Sequence, residues 1–343
     1  MLALLTDEQQ MLRGMAAELA DKAGIRNPSD LETVDRQRAW EALGSAGLLA
    51  LRERTDGTPA ASGVEVMLVI QALAGRLVPV PAVSAMLALE LLSLAAAPPE
   101  WISALGAGEV RYAVLLAPDL LRPAETGDAG AAAWDSAEAD YLLALDRSAD
   151  GIFVARLPAA GIQAMDSIDL TRSTSRLDSP VRGERVGDPL GHEELDRWLA
   201  LALTAVSADI VGAARAALER VVQYSRERVQ FGVAIGTFQA VQHMCAEALV
   251  RVEGADSATK YAAWAADELA PAEALLAART AKAYASSVAM DVPETVMQVY
   301  GGIGQTWENV AHLYLRRTLL DRQVLGNEHI QLAAIANSRL GGR

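Results

Sequence analysis

Residues Tyr224 to Gln242 read Y-S-R-E-R-V-Q-F-G-V-A-I-G-T-F-Q-A-V-Q, and this stretch decides the fold. A helical pattern rich in Ala, Leu and Val ends here, breaks at Gly232, passes a short loop punctuated by Gly236 and re-enters a long helical pattern. The sequence therefore predicts a helical hairpin with a cationic elbow. Arg226 and Arg228 stand beside Phe231 at the bend, where a guanidinium can fork onto a phosphate and an aromatic face can take a flat ring. The same arginines also suit a solvated helix end, because the dipole favours cations at a C-terminus unaided.

Working outward, the periodicity is helical from Glu193 to the end. Leu199, Leu203, Val206, Ile210 and Ala213/Ala214 mark the buried face of the helix before the elbow. Val241, Cys245, Ala248, Val252, Ala255, Thr259 and Ala262 mark that of the helix after it. Glu247 with Arg251 and Asp256 with Lys260 form i,i+4 pairs on its outer face, each worth at most ~0.5 kcal/mol. A third helix starts near Pro271, a favourable first-turn residue, and Pro293 is expected to kink or divide it. Beyond it, Gly301 and Gly302 allow close backbone approach or positive φ. Thr306 is placed to cap a helix carrying Glu308 in its first turn, where the dipole favours a carboxylate, and Trp307 is a candidate interface residue.

Composition bounds the function. The chain has 343 residues, 52% apolar and only 5% aromatic, so it can bury a large core built from Ala and Leu, across two or three domains. A formal net charge of -14 argues against nucleic acid or an anionic membrane surface as partner. With Cys245 the only cysteine, there is no intrachain disulfide and no cysteine-based metal site. His192, His243, His312 and His329 lack metal-ligand spacing and read as surface or helix-end residues. The N-terminus opens with Thr6-Asp7-Glu8-Gln9, a helix start and not a leader, and the apolar region Val64 to Ala97 is cut by Arg76, Pro79, Pro81 and Glu90. No insertion into a membrane is expected, and cytoplasmic location follows by default.

The order of patterns gives a mainly α chain with a small β domain. Residues 1–105 alternate helical patterns with short breaks, with Met11, Met15 and Leu19 on one face of the first helix and Arg52 to Gly63 as loop. Residues 106–188 change character: Tyr112 to Ala117, Tyr141 to Leu145, Ile152 to Ala155 and the stretch near Ile162 read as strands, and Ala124 to Ala133 as a flexible loop. Asp169-Leu-Thr-Arg172 reads equally as a turn. Residues 189–343 form the C-terminal helical bundle.

R-x-Q-F-G, G-x-F-Q-A-V-Q and the later Q-V-Y-G-G-I-G at Gln298 to Gly304 together resemble the C-terminal four-helix bundle of the acyl-CoA dehydrogenases. The N-terminal order, including A-G-R-L-V-P-V-P at Ala74 to Pro81, and the D-x-T-R stretch are similar to that family's helical and β domains. In the family the Arg, the Phe and the second-helix Gln contact the ADP half of an FAD bound mainly by the neighbouring subunit, as do the Gln and Gly pair of Q-x-x-G-G. The resemblance implies those roles for Arg228, Phe231, Gln239, Gln298, Gly301 and Gly302.

The departures are as informative. Flavin-binding members carry a Thr-Glu-x-x-x-Gly-Ser-Asp-like segment and a Trp-x-Thr-Asn-like strand that hold the flavin ring. Here the first region runs A-P-D-L-L-R-P-A-E-T-G-D-A-G, and neither motif occurs between Val110 and Pro189. The N-terminal domain reads R-E-R-T-D-G-T-P where many relatives have a Pro-Glu-Glu-Tyr-Gly-Gly-like turn. The family reaction needs a carboxylate base in an apolar pocket. The resemblance puts that Glu at Gly326 in most members and at Ala202 in others, so both positions are empty. Glu328, Asp209 and Glu308 are the nearby carboxylates, and the catalytic residue is left unassigned. W-E-N-V-A-H-L-Y-L-R-R also departs from one branch's pattern at Asn309-Val310, and Gln305 replaces a usual aromatic.

These features imply the flavin-site-truncated subunit of a heteromeric, actinobacterial-type enzyme that dehydrogenates an acyl-CoA. A paralogous subunit would share its FAD and supply the ring site and base. Family branches built from such unequal pairs act on bulky thioesters such as steroid side chains. A homomeric flavoenzyme of modified chemistry and a flavin-free structural subunit of the same fold are the alternatives.

Overall fold

The computed structural model describes residues 4–341. Six helices come first: α1 (Asp7–Ala23), α2 (Asp30–Thr33), α3 (Arg36–Ser45), α4 (Gly63–Gly75), α5 (Ala82–Leu94) and α6 (Pro99–Gly106). α1 starts as read, with Gln9 N donating to Thr6 Oγ1 at 3.2 Å and Gln9 Oε1 accepting from Thr6 N at 3.1 Å. Its methionines are nevertheless outward-facing, and Ala16 and Ala20 do the packing. The Arg52 to Gly63 segment is not plain loop. It holds a small hairpin, β1 (Arg54–Thr55) with β2 (Thr58–Pro59), and Arg52 turns inward to pair with Glu90 at 3.0 Å and Asp267 at 2.9 Å.

Seven strands then form one sheet: β3 (Tyr112–Leu116), β4 (Ala131–Trp134), β5 (Tyr141–Ser148), β6 (Gly151–Pro158), β7 (Gln163–Ala164), β8 (Thr174–Leu177) and β9 (Glu184–Leu190). Their order is β7-β8-β4-β3-β5-β6-β9, antiparallel except for the β3–β5 pair. Every residue of β3 is buried because both faces are covered: Tyr112, Val114 and Leu116 pack toward the helices, while Ala113 and Leu115 join a separate cluster on the other face. The expectation of a loop from Ala124 to Ala133 is corrected here. Ala131–Trp134 is a central strand between β3 and β8, and its small side chains, which made it look like linker, are what a doubly covered strand tolerates.

The remaining chain is helical: α7 (His192–Glu227), the hairpin β10 (Val229–Gln230) and β11 (Val233–Ala234), α8 (Gln239–Glu268), α9 (Pro271–Tyr300), α10 (Ala311–Gln323) and α11 (Glu328–Leu340). α7 is the axis, packed on α4, α8, α9 and α10. It is long and apolar enough to cross a membrane, but 89% of its apolar window is buried inside the protein, as befits a core helix. Gly212 is needed where α7 meets α4, since a Cβ there would lie 2.4 Å from Gln71 O. On α8, Ala248, Val252, Ala255, Thr259 and Ala262 are buried as read, whereas Val241 and Cys245 are half-buried at the elbow end. Asp256 meets Lys260 at 3.8 Å, but Arg251 reaches across to Asp291 on α9 instead of Glu247. Pro271 is a first-turn proline of α9, and the helix runs through Pro293 undivided.

One cluster joins sheet to bundle. Arg172, just before β8, donates to Asp321 Oδ1 of α10 at 2.5 Å and to Asp209 of α7, and its Nε lies 3.5 Å from Asp135 Oδ1 at the end of β4. Arg317 forks onto Asp209 at 2.8 and 3.0 Å and reaches Thr171 Oγ1 at 3.0 Å. The D-x-T-R stretch is thus a turn, with Asp169 Oδ1 accepting from Thr171 N and Oγ1, whose purpose is to present Arg172 inward. Replacing Arg172 by Met would take the guanidinium from Asp135 and Asp321 in a dry interior and leave Asp209 with Arg317 alone. We expect a loss of about 3–5 kcal/mol, the usual cost of breaking a buried ion pair, read as a lowered urea midpoint.

Candidate functional site

The elbow is built from short-range bonds. Arg228 N donates to Tyr224 O at 2.9 Å, closing α7, and Ile235 N donates to Arg228 O at 2.8 Å, folding the hairpin back onto the helix end. A single turn of 3-10 helix, Ile235–Thr237, then leads into α8 at Gln239. Gly236 lies against α7, where a Cβ would stand 2.9 Å from Ser225 O. Between β10 and β11 both turn residues have positive φ, 54° at Phe231 and 80° at Gly232, the pattern of a type I′ hairpin turn. Glycine takes this conformation freely; phenylalanine does so at a cost. Phe231 is 94% exposed, touching Phe238 edge-on with ring centroids 6.3 Å apart.

The second motif arrives at the same end of the bundle. The Tyr224 and Tyr300 rings lie 4.7 Å apart, pinning the end of α9 to the end of α7. Burial raises the Tyr300 hydroxyl to about 12, so it stays protonated. Gly301 ends α9 with φ 65°, as the sequence suggests, and a Cβ on Gly301 or Gly302 would meet nothing within 4 Å. Gly302 is therefore not required by packing inside this chain. Arg228, Gln239 and Gln298 are exposed and, among the described residues, make no side-chain hydrogen bond or ion pair. Beside them a cleft of ≈ 440 Å³ is lined by Ser225, Arg226, Thr237, Gln242 and Cys245, among others. Burial pushes the Cys245 thiol up, so it is not a thiolate.

Thr306 does not cap a helix. Its hydroxyl donates to Ile303 O at 2.9 Å within the turn, and α10 starts only at Ala311, whose N–H donates to Asn309 Oδ1 at 2.9 Å. Glu308 is exposed in that turn and belongs to no helix. Trp307 is 64% exposed and meets His312 edge-on at 4.9 Å. His312 stands in the first turn of α10, a helix end as read, but it is buried and not on the surface, and burial lowers its pKa so the ring is neutral. No group of three or more metal-ligating side chains occurs among the described residues.

The carboxylates weighed as bases are held elsewhere. Ala202 lies at 0% exposure in the interior of α7. Burial opposes ionisation of Asp209, but Arg172 and Arg317 outweigh it and hold the group far below the usual range. Glu328 is the first residue of α11 and accepts from Arg322 Nε at 2.9 Å, which lowers its pKa. The loop before α11 reads Val324-Leu325-Gly326-Asn327, with no carboxylate at any position. It is tied down from all sides. Lys282 Nζ, fully buried on α9, donates to Arg322 O and Gly326 O at 3.0 Å each, Gln331 Nε2 donates to Leu325 O at 2.5 Å, and Leu325 N donates to Leu120 O at 2.8 Å. Sequence reading missed this latch and the Tyr224–Tyr300 clamp. A lysine in an Ala-rich helical face was the available signal for the first.

Comparison with known proteins bears on the whole chain. Residues 199–340 match the family model described as acyl-CoA dehydrogenase, C-terminal domain. The acyl-CoA dehydrogenase IpdE2 of Mycobacterium tuberculosis is 30% identical over 93% of this chain and 93% of its own length. The acyl-CoA dehydrogenase FadE34 of the same organism is 32% identical over 92% of this chain, which spans only 46% of FadE34. Among solved structures, a variant of the Tcur3481-Tcur3483 steroid ACAD superposes with TM-score 0.85 at 22% identity, covering 98% of both chains. The ChsE4-ChsE5 complex from Mycobacterium tuberculosis gives 0.84 at 24% identity, covering 99% of both. At these identities the structures show a common fold.

The left-handed Phe231 yields a stability test. Asparagine suits the first position of a type I′ turn, so Phe231→Asn should raise the stability of the isolated chain by about 1 kcal/mol, seen in thermal unfolding. A loss of stability would show that the ring packs for the fold's own sake.

Proposed function

The chain belongs to the acyl-CoA dehydrogenase family, and from that premise we propose that it is the flavin-sharing, base-deficient member of an unequal pair of subunits. The reaction class is an oxidation across a CH–CH bond beside a thioester, and the family is a flavoprotein family. In our reading the substrate is a bulky, steroid-like acyl-CoA, the partner is a paralogous subunit, and residues 1–105, 106–188 and 189–343 are the working units of this one.

The observation that carries the reading is the contrast between its two ends. At the elbow, Arg228, Gln239, Gln298 and the Gly301-Gly302 turn present donors and bare backbone to the outside with nothing among the described residues to receive them, while Phe231 is held outward in an unfavourable backbone state. That set fits the ADP half of FAD: a guanidinium fork for the pyrophosphate, amide groups for ribose or base, and glycine backbone for close approach. Bound FAD supplies the hydride acceptor. At the other end, the loop before α11 carries no carboxylate and is closed by backbone and lysine contacts, and Asp209 is locked between two arginines. The proton abstraction step is thus assigned to the partner. The steroid and unequal-pair readings draw support from the two similar structures, one a steroid ACAD and the other the ChsE4-ChsE5 complex.

Expressed and purified alone, the chain should lack stoichiometric FAD and dehydrogenase activity, and co-expression with a relative that carries the ring-binding segment and base should restore both. A yellow, active homomer would sink the unequal pair. In the assembled complex, Arg228→Ala removes a charged hydrogen bond, a loss of about 1.5–3 kcal/mol or roughly tenfold to a hundredfold in flavin affinity. Unchanged affinity with the fold intact would remove Arg228 from the cofactor site.

A further inference from the structure

The buried cluster between sheet and bundle contains more acid than base. Asp135, Asp169, Asp209 and Asp321 face Arg172 and Arg317, all buried, with the Lys282 ammonium of α9 the next nearest cation to Asp321. Asp209 accepts from both arginines and needs no further donor. Asp321 differs. Its Oδ1 accepts from Arg172 Nη1 at 2.5 Å, while its Oδ2, like that of Asp169, is sealed from solvent with no donor facing it; Asp169, whose Oδ1 accepts from Thr171, is not on the Arg172 fork that holds Asp209. Arg172 Nη1 and Nη2, neighbouring nitrogens of one guanidinium, donate to Asp321 Oδ1 and Asp209 Oδ2, so the two carboxyl groups are held side by side.

A contact between two carboxyl oxygens is repulsive when both are ionised and attractive when one carries a hydrogen, as in any acid pair that shares a site. An oxygen that is buried, unpaired and ionised would cost several kcal/mol, whereas the same oxygen bearing a proton becomes the donor that Asp209 can accept. We propose that Asp209 and Asp321 hold one proton between them at neutral pH, carried by Asp321, and that this acid pair makes the junction of α7, α10 and the turn before β8 alkali-sensitive. Burial, the largest cause, and the Asp209 charge raise the Asp321 pKa well above its ordinary value, while Arg172 and Arg317 act against them. Asp135 is also raised, by burial first, against Arg172 and Arg317.

The sign follows from linkage. An aspartic acid that keeps its proton in the folded chain but loses it at an ordinary pKa when unfolded withdraws stability as pH rises from the unfolded pKa to the folded one, because the folded state binds more protons over that interval. Asp209, held low by its two arginines, acts in the opposite sense and only as pH falls through its own depressed folded pKa. An asparagine at 321 keeps both contacts at every pH, since its carbonyl can accept from Arg172 and its amide can donate to Asp209.

The test uses the full chain with carboxyl-labelled aspartate, compared by infrared difference spectroscopy as wild type, Asp321→Asn and Asp135→Asn at neutral pH. The carbonyl stretch of a protonated carboxylic acid should be present in wild type, vanish in Asp321→Asn and persist in Asp135→Asn. In parallel, Asp321→Asn should gain thermal stability over wild type as pH is raised from about 5 to about 8. A wild-type signal that is wholly ionised, or one that survives in Asp321→Asn, overturns the proposal. So does an Asp321→Asn protein equally destabilised at both pH values. If Asp321→Asn fails to fold, the wild-type spectrum against Asp135→Asn and Asp169→Asn still decides: a signal that persists in both is expected, and one lost entirely with either leaves none for Asp321.

Discussion

The structure depends on a constraint that one side chain imposes. Arg172 lies on a turn of the sheet domain yet finds its partners on α7 and α10, so the sheet cannot move off the bundle without leaving a guanidinium and several carboxylates unpaired. Such clusters add little net stability compared with an apolar core of the same volume, but they tolerate only one arrangement. Apolar packing between a sheet and an Ala-rich helix is permissive of sliding. The Arg172 fork is not, and the register of α7 against β4 and α10 follows from it. Arg52 does the same on the other side, tying α5 through Glu90 to the end of α8 through Asp267.

With the sheet and bundle fixed, the elbow end is free to be a surface. α7 and α9 finish together because Tyr224 and Tyr300 pack ring against ring, and the hairpin returns to α8 within a few residues. Gln242 and Thr237 bond back to the elbow backbone, whereas the side chains of Arg228, Gln239 and Gln298 find no partner among the described residues. Exposed groups without partners, on a backbone that pays to hold Phe231 outward, are why the proposed cofactor reading rests on the elbow and not on the sheet.

Much of this was legible in sequence. The helical periods around Leu203 and Val252, the cap at Thr6, the proline at the start of α9 and the positive φ of Gly301 all follow from local rules, and local rules do not need tertiary context. What failed was decided at long range. Ala131–Trp134 carries no strand-like pattern of large and small residues, because both its faces are covered. Arg251 chose Asp291 over Glu247 because α9 lies within reach. Asp209 looked like a spare carboxylate until Arg172, distant in sequence, was placed against it, and Thr306 lost its cap because α10 begins only at Ala311.

The loop before α11 shows how the absence of a carboxylate can be a property of backbone and not of one residue. Leu325 and Leu120 both sit in the left-handed region and face each other through the Leu325 N–Leu120 O bond, a strained pairing that persists only where its surroundings over-determine it. The surroundings are Lys282 and Gln331, which claim the carbonyls on either side. Burial lowers the lysine to about 7, with the Glu328 carboxylate acting against it. Gly326 has φ 90°, and a Cβ on it would stand 2.8 Å from Ile330 Cγ2 and 3.0 Å from Gln331 Nε2. A glutamate written into that position would meet a forbidden backbone and an occupied space before it met a substrate. The segment has become an anchor for α11, and chemistry that needs a carboxylate there must be done by a chain in which the loop is built differently.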